Sequence, residues 1–285
     1  MAFDWDDDRP KMSAEQFRLL KDLLQKVSGV SLREDLKFVA ERRLWPRLEA
    51  LGVKDFGGYY RLLRFDARAK EELELAVDAL VPHETYFFRE PVQLGSFESE
   101  LLPRLHKDRI LEKRLRLWSA GCSTGEEPYT LSMLVLESGL FDGWDIEILG
   151  SDLSRHALSR ARKAEYGASA MRSTSDERKE RFFEPLPEGR FKVRDAVRSR
   201  VSFAHVNLID EGGVALLPQM DVIFCRNVLI YFDAAARLQV VQSFRERLVL
   251  GGYLLLGHSE VLHTLGSGFE LVQLEGDLLY RRPPS

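Results

Sequence analysis

The chain has 285 residues, is 45% hydrophobic and 30% charged, and carries a net charge of −4 with two cysteines. That length holds two modest domains of ordinary globular composition, and the mild acidity gives no electrostatic reason to expect nucleic acid as a partner. No apolar run approaches the ~20 residues of a membrane span, the acidic opening MAFDWDDDRP has no signal-peptide core, and Cys122 and Cys225 lack metal-ligand spacing, so a reduced, cytoplasmic setting without membrane insertion or metal is expected.

Residues 1–12 read as a tail. Ser13 and Gln16 make a capping-box pattern before Phe17, Leu20, Leu23, Leu24 and Val27, and Gly29 stops that helix. A second helix is expected from about Glu34 to Gly52, with Leu44 and Leu48 inward and Arg33, Lys37, Arg43 and Arg47 sharing one outer face. Pro46 should kink it, because proline removes a backbone donor. Helices over 55–64 and 68–80 complete an all-α amino-terminal domain over 1–81.

The segment HETYFFREP then leads into a helix over about 91–107, within a linker assigned to 82–114. From 115 to 285, strands alternate with helices: Arg116–Trp118, Asp145–Gly150, Val201–Val206, Asp221–Cys225 and Gly252–Gly257. A Ser154-capped helix is expected to reach Tyr166-Gly167, and one capped by Asp233 to reach about Leu250. The charged stretch 168–200 breaks the alternation and reads as an inserted antiparallel ribbon, and FELVQLEGDLLYRR reads as a closing hairpin. The fold class is therefore α/β: a doubly wound parallel sheet with an antiparallel carboxyl-terminal edge, a small β-ribbon insertion and a helical amino-terminal domain.

Three places gather chemistry. In RLRLWSAGCSTGEEPY a strand meets a small-residue turn and then a helix start, the arrangement that presents a ligand to the carboxyl edge of a sheet. The GxGxxG of a dinucleotide site is absent: Gly121 and Gly125 stand before two carboxylates, Glu126 and Glu127, which would repel a pyrophosphate and suit a cation. A capping box with Ser123 is the preferred reading of Glu126; Glu127 is read as a ligand. Asp152, ending the second strand, is placed to accept from ribose hydroxyls. Together these favour S-adenosylmethionine over NAD. In HETYFFRE, Phe87 and Phe88 read as packing residues, Thr85 as a cap or a ligand contact, and Arg89 as a salt-bridge partner or a carboxylate anchor. In FCRNVLIYF, Arg226 and Asn227 follow a buried strand with many donors to satisfy, and Tyr231 reads alone as an ordinary core tyrosine.

SAGCSTGEEPY, HETYFFRE, RVSFAHVNL, FCRNVLIYF and GYLLLGHSE, in this combination, closely resemble the CheR family of chemotaxis receptor methyltransferases over nearly the whole chain. The resemblance implies the class I methyltransferase sheet and methyl transfer from S-adenosylmethionine to glutamate side chains on the cytoplasmic helical domain of chemoreceptors, leaving S-adenosylhomocysteine. Carried over by position, it implies cofactor contacts at Thr85, Arg89, Gly121, Glu127, Asp152, Asn207, Leu208, Arg226 and Asn227, and places Arg89 and Tyr231 beside the reacting groups. His83 stands where the family usually has asparagine two residues before the threonine, so an imidazole replaces the amide donor there. The resemblance also raises a receptor-docking reading of Arg33, Lys37, Arg43 and Arg47, against the plainer reading of a solvated helix face. Members that dock on a receptor's carboxyl-terminal peptide carry an extra glycine-containing loop in the ribbon; EPLPEGRFKV is short, so independence from such a tether is expected.

No general base is required, since a glutamate of ordinary pKa near 4.3 is already ionised at neutral pH. The rival readings are a cofactor-binding regulatory module without turnover, a methyltransferase of another signalling protein, and, weakest for want of GxGxxG, an NAD dehydrogenase.

Overall fold

The computed structural model describes residues 10–81, 84–262 and 268–284. Its contacts divide the chain into two compact units, Met1–Pro82 with Tyr231–Asp233, and His83–Ile230 with Ala234–Ser285.

The first unit is helical: α1 (Ala14–Ser28), a 3-10 turn (Glu34–Leu36), α2 (Lys37–Leu51), α3 (Phe56–Phe65) and α4 (Ala69–Leu80). Ser13 Oγ accepts from Gln16 N at 3.1 Å while Gln16 Oε1 accepts from Ser13 N at 2.8 Å, which satisfies two orphan donors at the start of α1. Phe17, Leu24, Leu44, Leu48 and Tyr59 are fully buried among these helices. The single helix expected from Glu34 is two elements, the turn and α2. Pro46 lies inside α2, and the helix nevertheless runs on to Leu51, with Leu44 and Leu48 buried on either side of it. Backbone from the short segment Tyr231–Asp233 joins this unit: Ser31 N donates to Tyr231 O at 2.7 Å, and Val30 bridges Phe232.

The basic face expected of α2 is not formed. Arg47 turns inward, its Nε 3.0 Å from Glu72 Oε1 on α4, and the same oxygen accepts from Tyr59 Oη at 2.6 Å. Glu72 is only 3% exposed, so its charge requires that partner. Arg43 Nη1 donates to Leu80 O at 2.8 Å, joining α2 to the end of α4. Lys37 Nζ donates to Met12 O at 2.8 Å and pairs with Glu41, and Arg33 pairs with Asp35 on the surface.

The second unit opens with α5 (Pro91–Ser96), a π-helical turn (Phe97–Leu101) and α6 (Leu102–Asp108), so the helix expected over 91–107 is interrupted at its middle. Then follow β1 (Arg114–Ala120), α7 (Glu126–Ser138), β2 (Asp145–Asp152), α8 (Arg155–Lys163), β3 (Glu165–Tyr166), α9 (Asp176–Phe182), β4 (Phe183–Leu186), β5 (Arg190–Val193), α10 (Asp195–Arg198), β6 (Val201–His205), α11 (Glu211–Ala215), β7 (Met220–Cys225), α12 (Ala234–Arg247), β8 (Leu248–Leu256), β9 (Glu270–Gln273) and β10 (Leu278–Arg281). The main sheet runs β6-β2-β1-β7-β8-β10-β9, parallel except for β10, which pairs antiparallel with both β8 and β9. Strand order reverses between β1 and β7, and α/β sheets bind ligands outside the carboxyl ends at such a point. Leu117, Trp118, Val222, Ile223, Phe224, Leu254 and Leu255 are fully buried along the central strands.

Two helix ends differ from expectation. α8 stops at Lys163, where left-handed Ala164 (φ 55°) donates its N–H back to Arg160 and Ala161, and Glu165–Tyr166 enters a second sheet, β3-β5-β4. The inserted ribbon thus has three strands and begins at Glu165. α12 stops at Arg247, because Leu248 already pairs with Met220 as the first residue of β8. Gly251 (φ 78°) and a shift of register between Met220 and Val222 mark the irregularity that hid this strand start.

Candidate active site

Sheet register assembles the site. Ala120 lies opposite Ser151, Ser119 opposite Phe224, and Asp152 opposite His205, so the residues that follow β1, β2, β6 and β7 emerge along one edge. Gly121 N and Cys122 N both donate to Ser151 O at 2.8 Å, folding the turn after β1 over the end of β2. Gly121 sits at φ 77°, and a Cβ on it would stand 2.4 Å from Val228 Cγ2, so glycine alone allows the loop after β7 to approach.

Asp152 is spent on backbone at one lone pair of each oxygen: Ser123 N donates to Oδ2 at 2.7 Å and Ser154 N to Oδ1 at 2.8 Å. Ser154 Oγ in turn caps α8 at Ala157 N, as its position in the sequence predicts. These two backbone bonds fix the Asp152 carboxylate at the carboxyl end of β2. Val206 N donates to Asp152 O at 3.1 Å, which brings Asn207 and buried Leu208 to the same edge.

Glu127 is held from two sides. Ser119 Oγ donates to its Oε1 at 2.7 Å and Arg226 Nε to its Oε2 at 2.6 Å. The Arg226 side chain is 3% exposed; its Nη1 also donates to Arg89 O at 3.0 Å and Gln93 Oε1 at 3.2 Å, and lies 3.6 Å from Glu90 Oε2. Glu90 pairs further with His258 Nδ1 at 3.0 Å. Arg226 therefore stands between two carboxylates, Glu127 and Glu90, a setting that suits a cationic ligand. Asn227 adopts a left-handed backbone (φ 59°), and its Oδ1 is buried without a hydrogen-bond partner among the described residues. Ser123 Oγ is in the same condition. Two unspent buried acceptors beside fixed carboxylates fit a ligand that brings its own donors.

Glu126 is not the capping partner of Ser123. Left-handed Gly125 occupies the cap of α7 without a side-chain bond, and Ser123 is itself left-handed (φ 49°). The Glu126 carboxylate turns inward to accept from Thr124 Oγ1 at 2.7 Å, and burial pushes its pKa up. Burial, followed by the nearby Asp152, Glu127 and Glu126 carboxylates, also pushes the Cys122 thiol up, which removes it as a nucleophile.

The HETYFFRE segment reaches this edge through backbone. Arg89 offers its carbonyl to Arg226, while its own Nη1 donates to Glu84 O at 2.7 Å and its guanidinium stands 5.8 Å from the Tyr86 ring. Arg172 covers the same ring at 3.5 Å and pairs with Glu84. Phe87 and Phe88 are buried, and Phe87 meets Tyr166 and Phe183 edge-on. Thr85 is half-buried in this segment, and His83 lies outside the described residues. Tyr231, in a short 3-10 turn, belongs to the helical unit by its contacts. Sequence reasoning missed Ser119, Glu90 and Gln93 as the supports of Glu127 and Arg226. Ser119 alone carried a signal, as a hydroxyl inside an apolar strand. Among the described residues, no group of three or more His, Cys, Asp or Glu side chains could hold a metal ion, and no helix is long and apolar enough to cross a membrane.

A family model described as the SAM binding domain of CheR methyltransferase matches residues 83–276, and one described as the all-alpha domain of CheR methyltransferase matches residues 15–81. Chemotaxis protein methyltransferase 2 of Vibrio cholerae is 35% identical over 268 residues, 94% of this chain and 92% of its own length. Chemotaxis protein methyltransferase 1 of Pseudomonas aeruginosa is 36% identical over 272 residues, 93% of this chain and 97% of its own. Among solved structures, an O-methyltransferase family protein from Burkholderia thailandensis aligns over 88% of this chain and 71% of its own at 15% identity, with a TM-score of 0.42.

Proposed function

Because the chain belongs to the CheR methyltransferase family and is thus an S-adenosylmethionine-dependent methyltransferase, we propose that its acceptors are glutamate side chains on the cytoplasmic helical domain of chemoreceptors. The observation that carries the donor side is Glu127, fastened between Ser119 and buried Arg226 beside the unspent acceptor of Asn227. Glu127 faces a cationic group, Asp152 accepts from ribose hydroxyls, and Asn207, Leu208, Arg226 and Asn227 complete the pocket around Gly121, with Thr85 a further cofactor contact. S-adenosylmethionine, when bound, supplies a methyl on a sulfonium: a carboxylate oxygen forms the new C–O bond, the C–S pair returns to sulfur, and no proton moves.

The protein's task is then positioning. Family resemblance makes Arg89 and Tyr231 the candidates for orienting a flexible acceptor carboxylate, Arg89 by its forked donors and Tyr231 by its hydroxyl. They must orient it without overstabilising it, because attack neutralises charge on both reactants. The absence of any need for a general base agrees with a site whose cysteine is buried and protonated. Of the four basic residues, Arg33, which precedes the 3-10 turn, is the most exposed, and with Lys37 at the start of α2 it is the candidate for electrostatic docking on an acidic helical bundle. The turn Pro187–Gly189 between β4 and β5 is three residues long and passes through left-handed Glu188 and Gly189, and its shortness supports methylation without a receptor peptide tether. A receptor truncated at its carboxyl terminus should therefore be methylated as fast as the full receptor.

Calorimetry with S-adenosylmethionine and with NAD, followed by assay of S-adenosylhomocysteine on adding receptor fragment, tests the reading. Binding of the sulfonium ligand alone and product only with receptor are expected; binding without product would favour a regulatory module, and binding of NAD would end the donor assignment.

A further inference from the structure

The loop after β7 carries Arg226 and Asn227, and a side chain outside that loop holds its backbone. Glu260, 7% exposed, follows β8 by four residues. Its Oε2 accepts from Asn227 N at 2.7 Å and Gly257 N at 2.9 Å; its Oε1 accepts from Val228 N at 2.9 Å and Ile230 N at 3.1 Å. Four backbone donors on two segments thus converge on one buried carboxylate; burial pushes its pKa up, and the four N–H groups oppose that shift by favouring the ionised form.

The geometry ties this clamp to the cofactor edge. The donors from Asn227 and Val228 flank the left-handed peptide that sets the Asn227 side chain, whose Oδ1 is the unspent buried acceptor. Val228 is the residue that leans on Gly121, so the same loop closes the turn after β1. Gly257 leaves room for the carboxylate: a Cβ there would stand 2.8 Å from Glu260 Oε2 and 3.0 Å from Asn227 N.

We propose that Glu260 is a positioning residue for the donor pocket, holding the loop of residues 226–230 in the one conformation that presents Asn227 and seats Val228 against Gly121. The inference rests on the S-adenosylmethionine reading of this edge. Glu260→Gln tests it without changing shape. One oxygen becomes an NH2 group that confronts two backbone N–H donors, so two of the four bonds are lost.

The variant should fold and, well below its unfolding midpoint, show a KM and a calorimetric Kd for S-adenosylmethionine raised by about tenfold or more, with the KM for receptor unchanged. Glu260→Asp, which keeps the charge and shortens the reach, should recover part of that loss. A merely structural residue would lower the active fraction, cutting kcat while leaving both KM values alone, and that result would overturn the proposal. Should Glu260→Gln not fold, amide exchange in the wild-type protein decides: protection at Asn227, Val228, Ile230 and Gly257 without ligand supports the clamp, and exchange at loop rates overturns it. Wild-type protein that binds no S-adenosylmethionine overturns the donor reading and this inference together; wild-type binding with an unaffected Glu260→Gln variant overturns this inference alone.

Discussion

Replacing Arg226 by alanine is the perturbation whose cost follows most directly from the structure. The guanidinium is buried and gives up three hydrogen bonds, to Glu127 Oε2 at 2.6 Å, Arg89 O at 3.0 Å and Gln93 Oε1 at 3.2 Å. Glu127 and Glu90, with side chains 14% and 17% exposed, are left without that cation. Breaking a buried ion pair from one side costs about 3–5 kcal/mol, because the remaining charge stays desolvated. At roughly 2–4 °C per kcal/mol for a unit of this size, the midpoint of the sheet unit should fall by about 6–20 °C. Differential scanning calorimetry measures this shift. Arg226→Lys should recover less than half of the loss, since one ammonium cannot span Glu127 and the Arg89 and Gln93 acceptors as a fork does. S-adenosylmethionine affinity should fall by about tenfold in the alanine variant as Glu127 loses its orientation. A midpoint within about 2 °C of wild type for both variants would refute the claim that this arginine fastens the site.

Arg47→Ala should destabilise the helical unit by about 3 kcal/mol through the stranded Glu72, while receptor affinity, measured well below the midpoint, stays as in wild type; a loss of receptor affinity at unchanged stability would restore Arg47 to a docking role. Arg89→Ala and Tyr231→Phe should leave the circular dichroism spectrum intact and cut turnover about 10²-fold or more with donor and receptor saturating, as misplacement of a reactant does; wild-type turnover in both would sink their role at the acceptor. Burial raises the folded-state pKa of Glu126, so its contribution to stability is fully present below the unfolded value and lost as pH rises through the folded one. Glu126→Gln keeps an acceptor for Thr124 and should therefore gain stability relative to wild type on going from pH 5 to pH 8 in thermal melts; a relative loss over that range would mean the carboxylate is held ionised.

Much of the fold was legible because its signals are local. Ser13 with Gln16 and Ser154 with Ala157 are caps that a short polar side chain makes within three residues, and the central strands are short apolar runs ended by polar turns. What failed was non-local. The spacing of Arg43 and Arg47 says which residues share a helix face, but only the tertiary structure puts Glu72 and the Leu80 carbonyl beneath them. Ser123 and Glu126 have capping-box spacing, yet three left-handed residues, Gly121, Ser123 and Gly125, bend the turn out of that register. Leu248 reads as the end of a helix until its partner Met220 is known. At the site the chemistry-bearing residues stood out singly, whereas the groups that hold them did not. Gln93 reaches Arg226 across 133 residues, and Glu260 reaches Asn227 across 33.

The central claim is that a methyl group passes from S-adenosylmethionine to a glutamate carboxylate. Tritium-labelled methyl donor, wild-type enzyme and a chemoreceptor cytoplasmic fragment should give protein-bound label that mild base releases as volatile methanol, and a fragment with its acceptor glutamates replaced by alanine should give none. Label that survives base, or that persists on the alanine fragment, would contradict the account.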